Sequence, residues 1–225
     1  MINGKKVLAI TLARGGSSRI VKKNIVDING KPLLSYTTSQ AKKSKYIDTY
    51  VVSTDDSDIA EVALGEGVEV HRRESRYAED TSTSAESLLN VIEQYEGYDI
   101  LVEIMATNPL KTVNDIDGVL EKLENTSADS VVSVVRIWDH HPSRVKYIEN
   151  DRLLDFYPEI PESRRQDLTP AAYVRNGSVY ATTMKSFVAN KVRLGPDTRP
   201  YIMDEARTIN IDEPIDLKLA RVLME

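Results

Sequence analysis

The sequence predicts an α/β protein: a three-layer arrangement in which a mostly parallel sheet is covered by helices on both faces. Three observations predict it. Short β-branched runs alternate with amphipathic stretches through the first two thirds of the chain. The runs are continuously apolar instead of alternating, as in strands buried on both faces. Each stretch between them opens or closes with helix-terminus chemistry.

The predicted strands are Lys6 to Leu12, Thr49 to Ser53, Val68 to His71, Ile100 to Ala106 and Ser130 to Arg136. Pro32 suits the first helical position of a helix to Lys43, because its fixed φ and missing N–H cost nothing there. A second helix starts near Ser57 and is ended by Gly65 and Gly67. A third opens within Ser82 to Glu86 and reaches Tyr95, and Thr112 with Asp115 has capping-box spacing for Val113 to Leu123. After Ile137 the rhythm changes: residues 138–175 hold four prolines, several charges and weak periodicity, and read as an inserted arm or lid. A strand-like Ser178 to Thr183 follows, and a final helix begins near Glu213-Pro214.

At 225 residues and 25.3 kDa the chain suits one domain with a real core. Zero cysteines exclude disulfides, zinc ribbons and thiol nucleophiles, and no apolar run is long enough for a spanning helix. The opening MINGKKVLAI is too short and too strand-like for a signal peptide, so the expectation is a cytoplasmic protein away from membranes. A net charge of −6 and a pI near 5.3 argue against a nucleic-acid partner.

Against that acidic background residues 13–24 stand out. This loop carries Arg14, Arg19, Lys22 and Lys23 without an acid and spends Gly15, Gly16, Ser17 and Ser18 on freedom of backbone. It leaves the first predicted strand at its carboxyl end, where open α/β sheets bind ligands. It lacks both the dinucleotide fingerprint and the Walker pattern. Its backbone N–H groups and cations suit a polyphosphate; a solvated basic loop is the alternative on charge alone.

Ala13-Arg14-Gly15-Gly16-Ser17-Ser18-Arg19, with Lys23-Asn24-Ile25 and Asn29-Gly30-Lys31-Pro32-Leu33, resembles the signature of the cytidylyltransferases that activate acidic sugars: the CMP-sialic acid synthetases and, more distantly, the CMP-Kdo synthetases. The resemblance spans most of the chain. It implies a Rossmann-like nucleotidyltransferase fold with a dimerisation arm, and a homodimer whose subunits complete each other's sites. By resemblance Ala13, Arg14, Gly15, Gly16, Ser17, Lys23 and Asn24 hold CTP, with Arg14, Arg19 and Lys23 offsetting the charge of the triphosphate. The family usually has Lys at Ser18 and Pro at Val21; Arg19 is the cation that replaces the former.

Further matches follow. Val52-Ser53-Thr54-Asp55-Asp56 resembles the family's second strand and its loop, though both acids also suit a helix cap before Ile59. Residues 71–81, with Arg73, Asp80 and Thr81, resemble the stretch that approaches the nucleoside; a plain surface loop is the alternative. Thr107-Asn108-Pro109-Leu110-Lys111-Thr112 occupies the family's T-S-P-L-R position, with Met105 where Gln is common and without the Q-G-D-E-P motif of the Kdo branch. Arg164-Arg165-Gln166-Asp167-Leu168, Pro170, Tyr173, Asn176-Gly177 and Tyr180 resemble a segment of the nine-carbon sugar synthetases. By resemblance Thr107, Asn108, Lys146, Arg165, Gln166 and Asn176 face the sugar. Asn-Gly alone also suits a hairpin turn, and Lys146 with Arg144 a surface ion pair.

Thr208-Ile209-Asn210-Ile211-Asp212 resembles the family ending whose two aspartates hold metal. Asp212 keeps the charge and Asn210 replaces the other, so the resemblance implies Mg²⁺ on Asp212, Asn210 and the nucleotide phosphates; capping of the last helix is the alternative for Asp212. His140-His141 is no metal site, because adjacent side chains on an extended chain diverge. The implied reaction couples CTP to a nine-carbon 3-deoxy-2-ulosonic acid, with Arg14, Arg19, Lys23 and Asp212 as the acting residues. Two other readings remain: a CMP-Kdo-type or other sugar nucleotidyltransferase, or a nucleotide-binding homologue without turnover.

Overall fold

A computed structural model describes residues 1–158 and 163–225. In chain order the elements are β1 (Val7–Leu12), β2 (Asp27–Ile28), β3 (Lys31–Pro32), α1 (Leu33–Ala41), β4 (Thr49–Thr54), α2 (Ser57–Gly65), β5 (Glu69–Arg72) and α3 (Ser84–Ile92). They continue with β6 (Ile100–Ile104), α4 (Val113–Thr126), β7 (Ser130–Ile137), β8 (Lys146–Glu149), β9 (Arg152–Asp155), β10 (Ala172–Thr183), α5 (Met184–Asn190), β11 (Thr198–Ile202) and α6 (Pro214–Leu223).

Among the described residues the main sheet has seven strands in the order β11-β7-β10-β6-β1-β4-β5. All run the same way except β10, which is antiparallel to both neighbours. The predicted continuous apolar runs follow from this placement. On β1, Val7 and Ala9 pack toward α4 while Leu8 and Ile10 pack toward α3 and α5, so both faces of the strand lie in core. The central strands therefore cannot alternate polar and apolar residues.

Helix starts use the chemistry read from sequence. Asp115 accepts from the Thr112 N–H at 2.8 Å at the head of α4, Glu86 does the same for Thr83 at α3, and Asp56 accepts from the N–H groups of Asp58 and Ile59 at α2. Pro32 differs from expectation. It pairs with Asp27 in the small β2–β3 hairpin, so α1 starts one residue later, at Leu33.

The arm is shorter than residues 138–175. Ala172 to Arg175 already pair with Ile137 to Val134 of β7, so the insertion ends before Ala172 and the strand expected from Ser178 is the second half of β10. Within the arm β8 and β9 form a hairpin. Residues 159–162 lie outside the described part of it. The edge strand β11 was not visible in sequence, since Pro200 in its middle is tolerated only where one side of the strand is unpaired. No helix among the described residues is long and apolar enough to cross a membrane.

Candidate active site

The parallel strands β1, β4, β5 and β6 all end on one side of the sheet, and the loops leaving them form one cleft. The loop after β1 is anchored before it becomes free. Ala13 is fully buried and donates to the Ser53 carbonyl at 2.9 Å. Gly15 donates to Asp55 Oδ1 at 3.0 Å, and Asn24, itself buried, donates to the Arg14 carbonyl at 2.9 Å. A side chain at Gly15 would meet Asp56 Oδ2 at 2.6 Å. The two acids after β4 thus have separate tasks: Asp56 caps α2, and Asp55 fixes the loop.

Arg14, Gly16, Ser17, Ser18, Arg19, Lys23, Asn24 and Asp212 line a polar cavity of about 270 Å³. Three of the loop's four cations face it. Lys22 is the exception: it sits in the left-handed region at φ 49° and turns to an ion pair with Asp58. Arg19 pairs with Glu213 at 2.7 Å while lining the cavity.

Asp212 closes the cavity from the far end of the chain. Lys23 Nζ donates to its Oδ1 at 2.8 Å, and Asn210 Nδ2 donates to its Oδ2. It does not cap α6. Glu213 and Asp216 form the capping box there, and the Asp212 N–H is itself a donor to Asp216 at 3.0 Å. The helix makes no use of the Asp212 carboxylate, whose two oxygens meet Lys23 and Asn210 at the cleft.

A second cavity, of about 280 Å³, shares Arg14, Lys23 and Asn24 with the first and extends over Arg73, Tyr77, Asp80, Ser87, Glu103, Met105 and Thr107. Arg14 joins its walls, donating to Asp80 at 2.6 Å and to the Ala78 carbonyl at 3.3 Å. Arg73 is buried; it donates to the Ser53 carbonyl at 2.6 Å and to Ser53 Oγ at 3.2 Å. Burial lowers its pKa, opposed by the charges of Asp55 and Glu103. Thr81 is exposed beside this cavity and does not line it.

The residues expected at the sugar divide. Thr107 lines the second cavity. Asn108 is fully buried, with its Oδ1 accepting from the Leu110 N–H at 3.2 Å, which makes it a turn residue of the loop after β6. Asn176 does not sit in a hairpin. It lies at a bulge of β10, is buried, and bonds Ser133, Met203 and Thr208. Gly177 beside it has φ +60°, and a Cβ there would meet Asn210 Oδ1 at 3.0 Å, so this Asn-Gly pair supports the Asn210–Asp212 segment. Lys146, on β8, pairs with Asp155 across the hairpin.

Arg165 lies elsewhere, within the arm. It pairs with Asp139 at 3.2 Å, its guanidinium is 5.5 Å from the Trp138 ring centre, and Arg136 stacks on the same ring at 3.7 Å. These residues with Glu205 and Thr208 line a third cavity of about 380 Å³. Gln166 is exposed next to Arg165 and does not line it. His141 is buried against the Pro170 carbonyl and Ser143, and no group of three or more metal-ligating side chains occurs among the described residues.

Sequence reading missed Glu103, Arg193, Trp138 and Arg136. Glu103 carried a signal: it is the one acid inside the apolar strand ILVEI, and a charge there needs a partner. Arg193 supplies it at 2.7 Å from a loop whose sequence gives no hint of its destination.

Residues 8–187 match the cytidylyltransferase family model. The chain is 32% identical to a pseudaminic acid cytidylyltransferase of Campylobacter jejuni, over 97% of this chain and 96% of the relative. It is likewise 32% identical to a CMP-N,N'-diacetyllegionaminic acid synthase of Legionella pneumophila, over 98% and 97%. Among solved structures a CMP:2-keto-3-deoxy-manno-octonic acid synthetase complexed with CTP superposes with a TM-score of 0.75 at 22% identity, covering 97% of this chain and 98% of that one. With the phosphate-suited loop at the head of the matched region, the chain belongs to the cytidylyltransferase family.

Proposed function

We propose that this chain transfers a cytidylyl group from CTP to a nine-carbon 3-deoxy-2-ulosonic acid, giving the CMP-sugar and pyrophosphate. The observation that carries this reading is the convergence of Arg14, Arg19, Lys23 and Asp212 on one polar cavity that continues into the cavity holding Arg73. Relatives named for pseudaminic and legionaminic acids support the sugar class.

In that reading the sugar's anomeric hydroxyl oxygen bonds to the α-phosphorus as its proton passes to solvent, the bond from that phosphorus to the bridging oxygen breaks, and pyrophosphate leaves with the electron pair. In this reading Arg14 and Lys23 neutralise charge on the departing phosphates, and the backbone N–H groups of residues 16–18 donate to them. The cavity of Arg136, Trp138 and Arg165 suits the acidic sugar: guanidinium donors for a carboxylate beside an aromatic face.

Asp212 suits Mg²⁺: it is half exposed at the cavity and unused by the helix, and this hard cation needs few protein ligands when phosphates supply the rest. Asn210 turns its amide nitrogen to that carboxylate and its oxygen toward Gly177, so its side chain would have to rotate to join the ligand set. Bound at Asp212, the cation would neutralise phosphate charge and polarise the phosphoryl oxygens. A homodimer built through the arm is supported by the exposed Tyr147, Ile148, Leu153 and Phe156 on and beside the hairpin. The absence of cysteine and the use of CTP fit the cytoplasm.

The test is pyrophosphate release with CTP and Mg²⁺ across pseudaminic, legionaminic, sialic and Kdo substrates. Turnover confined to nine-carbon acids is the expected result; turnover with Kdo alone, or none, would remove the proposal.

A further inference from the structure

The second cavity has a wall that phosphate chemistry does not use. β6 is apolar from Ile100 to Ile104 except for Glu103, whose side chain is 1% exposed. Its Oε2 accepts from Arg193 at 2.7 Å, while its Oε1 is buried without a hydrogen-bond partner. The residue lines the cavity together with Arg73, Met105 and Thr107, and Thr107 Oγ1 is a second buried polar atom without a partner. A buried carboxylate oxygen left unpaired is costly, and such atoms in a folded protein call for an explanation. Here the wall of a ligand cavity supplies one: a donor that arrives with the ligand.

Glu103 cannot easily swing away to satisfy itself. Arg193 holds one oxygen and is in turn stacked on the Tyr180 ring, 4.4 Å from its centre. Burial pushes the carboxyl upward in pKa, and the charges of Arg193 and then Arg73 pull it back. One wall therefore presents the acceptor of Glu103 and the guanidinium N–H groups of Arg73 that its bonds to Ser53 leave over. That pairing matches a pyrimidine edge carrying one carbonyl and one amine. Uracil offers a carbonyl in place of the amine, and its lone pairs would face those of Glu103.

The geometry points to Glu103 as a base-reading residue: its Oε1 accepts an N–H from the exocyclic amine of cytosine and so selects CTP over UTP. This rests on the cytidylyltransferase reading and adds to it the group that discriminates the base. The cavity's place fits, because it shares Arg14, Lys23 and Asn24 with the phosphate cavity and a triphosphate seated in one leaves its base in the other.

The experiment is isothermal titration calorimetry of the full chain with CTP, UTP and pyrimidin-2-one riboside triphosphate, which lacks only the amine. A hydrogen bond to a charged group predicts that the wild type binds CTP about 10- to 100-fold more tightly than the amine-free analogue. In Glu103→Gln the amide oxygen should stay with Arg193 and turn the NH₂ to the cavity, so the preference for CTP shrinks to about threefold or less, or inverts toward UTP. The double variant Glu103→Leu/Arg193→Met leaves no buried unpaired charge and should likewise lose the preference while still binding through the triphosphate.

Equal wild-type affinity for CTP and the amine-free analogue would overturn the assignment whether or not a variant folds. So would a variant that folds and keeps the full ratio. If the wild type binds no pyrimidine triphosphate at all, the family reading of the site falls and this assignment with it; a ratio that survives in the variants removes Glu103 alone.

Discussion

Lys23 and Asp212, 189 positions apart in sequence, meet at 2.8 Å on the wall of the polar cavity after β1. Their pairing joins the loop after the first strand to the segment before the last helix, and it puts a cation and a carboxylate side by side on the cavity wall. The Asp212 carboxylate is not needed by α6, whose N-terminus is satisfied by Asp216.

Asp212→Asn should therefore separate activity from stability. Pyrophosphate release is expected to fall by about 100-fold or more, the several kcal/mol that a metal-holding carboxylate contributes. The melting temperature should move little, because the asparagine keeps an oxygen to accept from Lys23 and the helix makes no use of the carboxylate. Added Mg²⁺ should rescue the variant poorly. Normal turnover would end the metal assignment.

Arg14 and Lys22 stand eight residues apart on one basic loop, and only Arg14 lines the cavity. Arg14→Ala is expected to lower kcat/KM by about 100- to 1000-fold, as for a charge-stabilising donor aimed at the transition state. Lys22→Ala, which removes only a surface pair with Asp58, should leave steady-state rates within about twofold. Comparable losses in both would mean that the loop acts through general charge.

That contrast also marks how far the sequence reaches. The buried strands and the Thr112–Asp115 capping box were legible because their chemistry is local: apolar runs, and an acid three residues after Thr. The cluster at residues 13–24 was legible because it lies at the end of a strand. Where Lys22 points was not, since its αL backbone at φ 49° and the position of Asp58 on α2 are products of tertiary packing. Asp212 suited both a helix cap and a metal site in sequence, and the Glu213–Asp216 box shows only that it does not cap α6. Asn176-Gly177 carried the signal of a hairpin turn, yet the pair lies within a strand, because the bulge in β10 uses the same positive φ that a turn would.

Gly15 and Gly16 look equivalent in sequence and are not. A Cβ on Gly15 meets Asp56 at 2.6 Å, whereas one on Gly16 meets nothing within 4 Å. Gly15→Ala should push Asp56 off the α2 N-terminus, with a cost of about 1 kcal/mol from the cap alone and a raised KM for CTP. Gly16→Ala should fold normally and alter KM by no more than a few-fold. Thermal melts beside CTP titrations distinguish them; equal tolerance at both positions would mean that the loop is not held against α2.

Lys111 gives the pH dependence of stability. It is 2% exposed, donates to Thr37 Oγ1 at 2.7 Å and to the Asn108 carbonyl, and burial lowers its pKa from 10.5 to about 7, opposed by the charge of Asp115. Between those two values the unfolded chain holds a proton on this amine that the folded protein does not. The lysine's contribution therefore makes stability rise with pH across that window, on the order of 1 kcal/mol per unit, and flatten below about pH 7, where both states are protonated. Lys111→Met removes the titration while keeping the volume. Chemical unfolding of both proteins between pH 7.5 and 9 should give a difference in unfolding free energy that shifts toward the wild type as pH rises; a constant difference would show that the ammonium stays charged in the core.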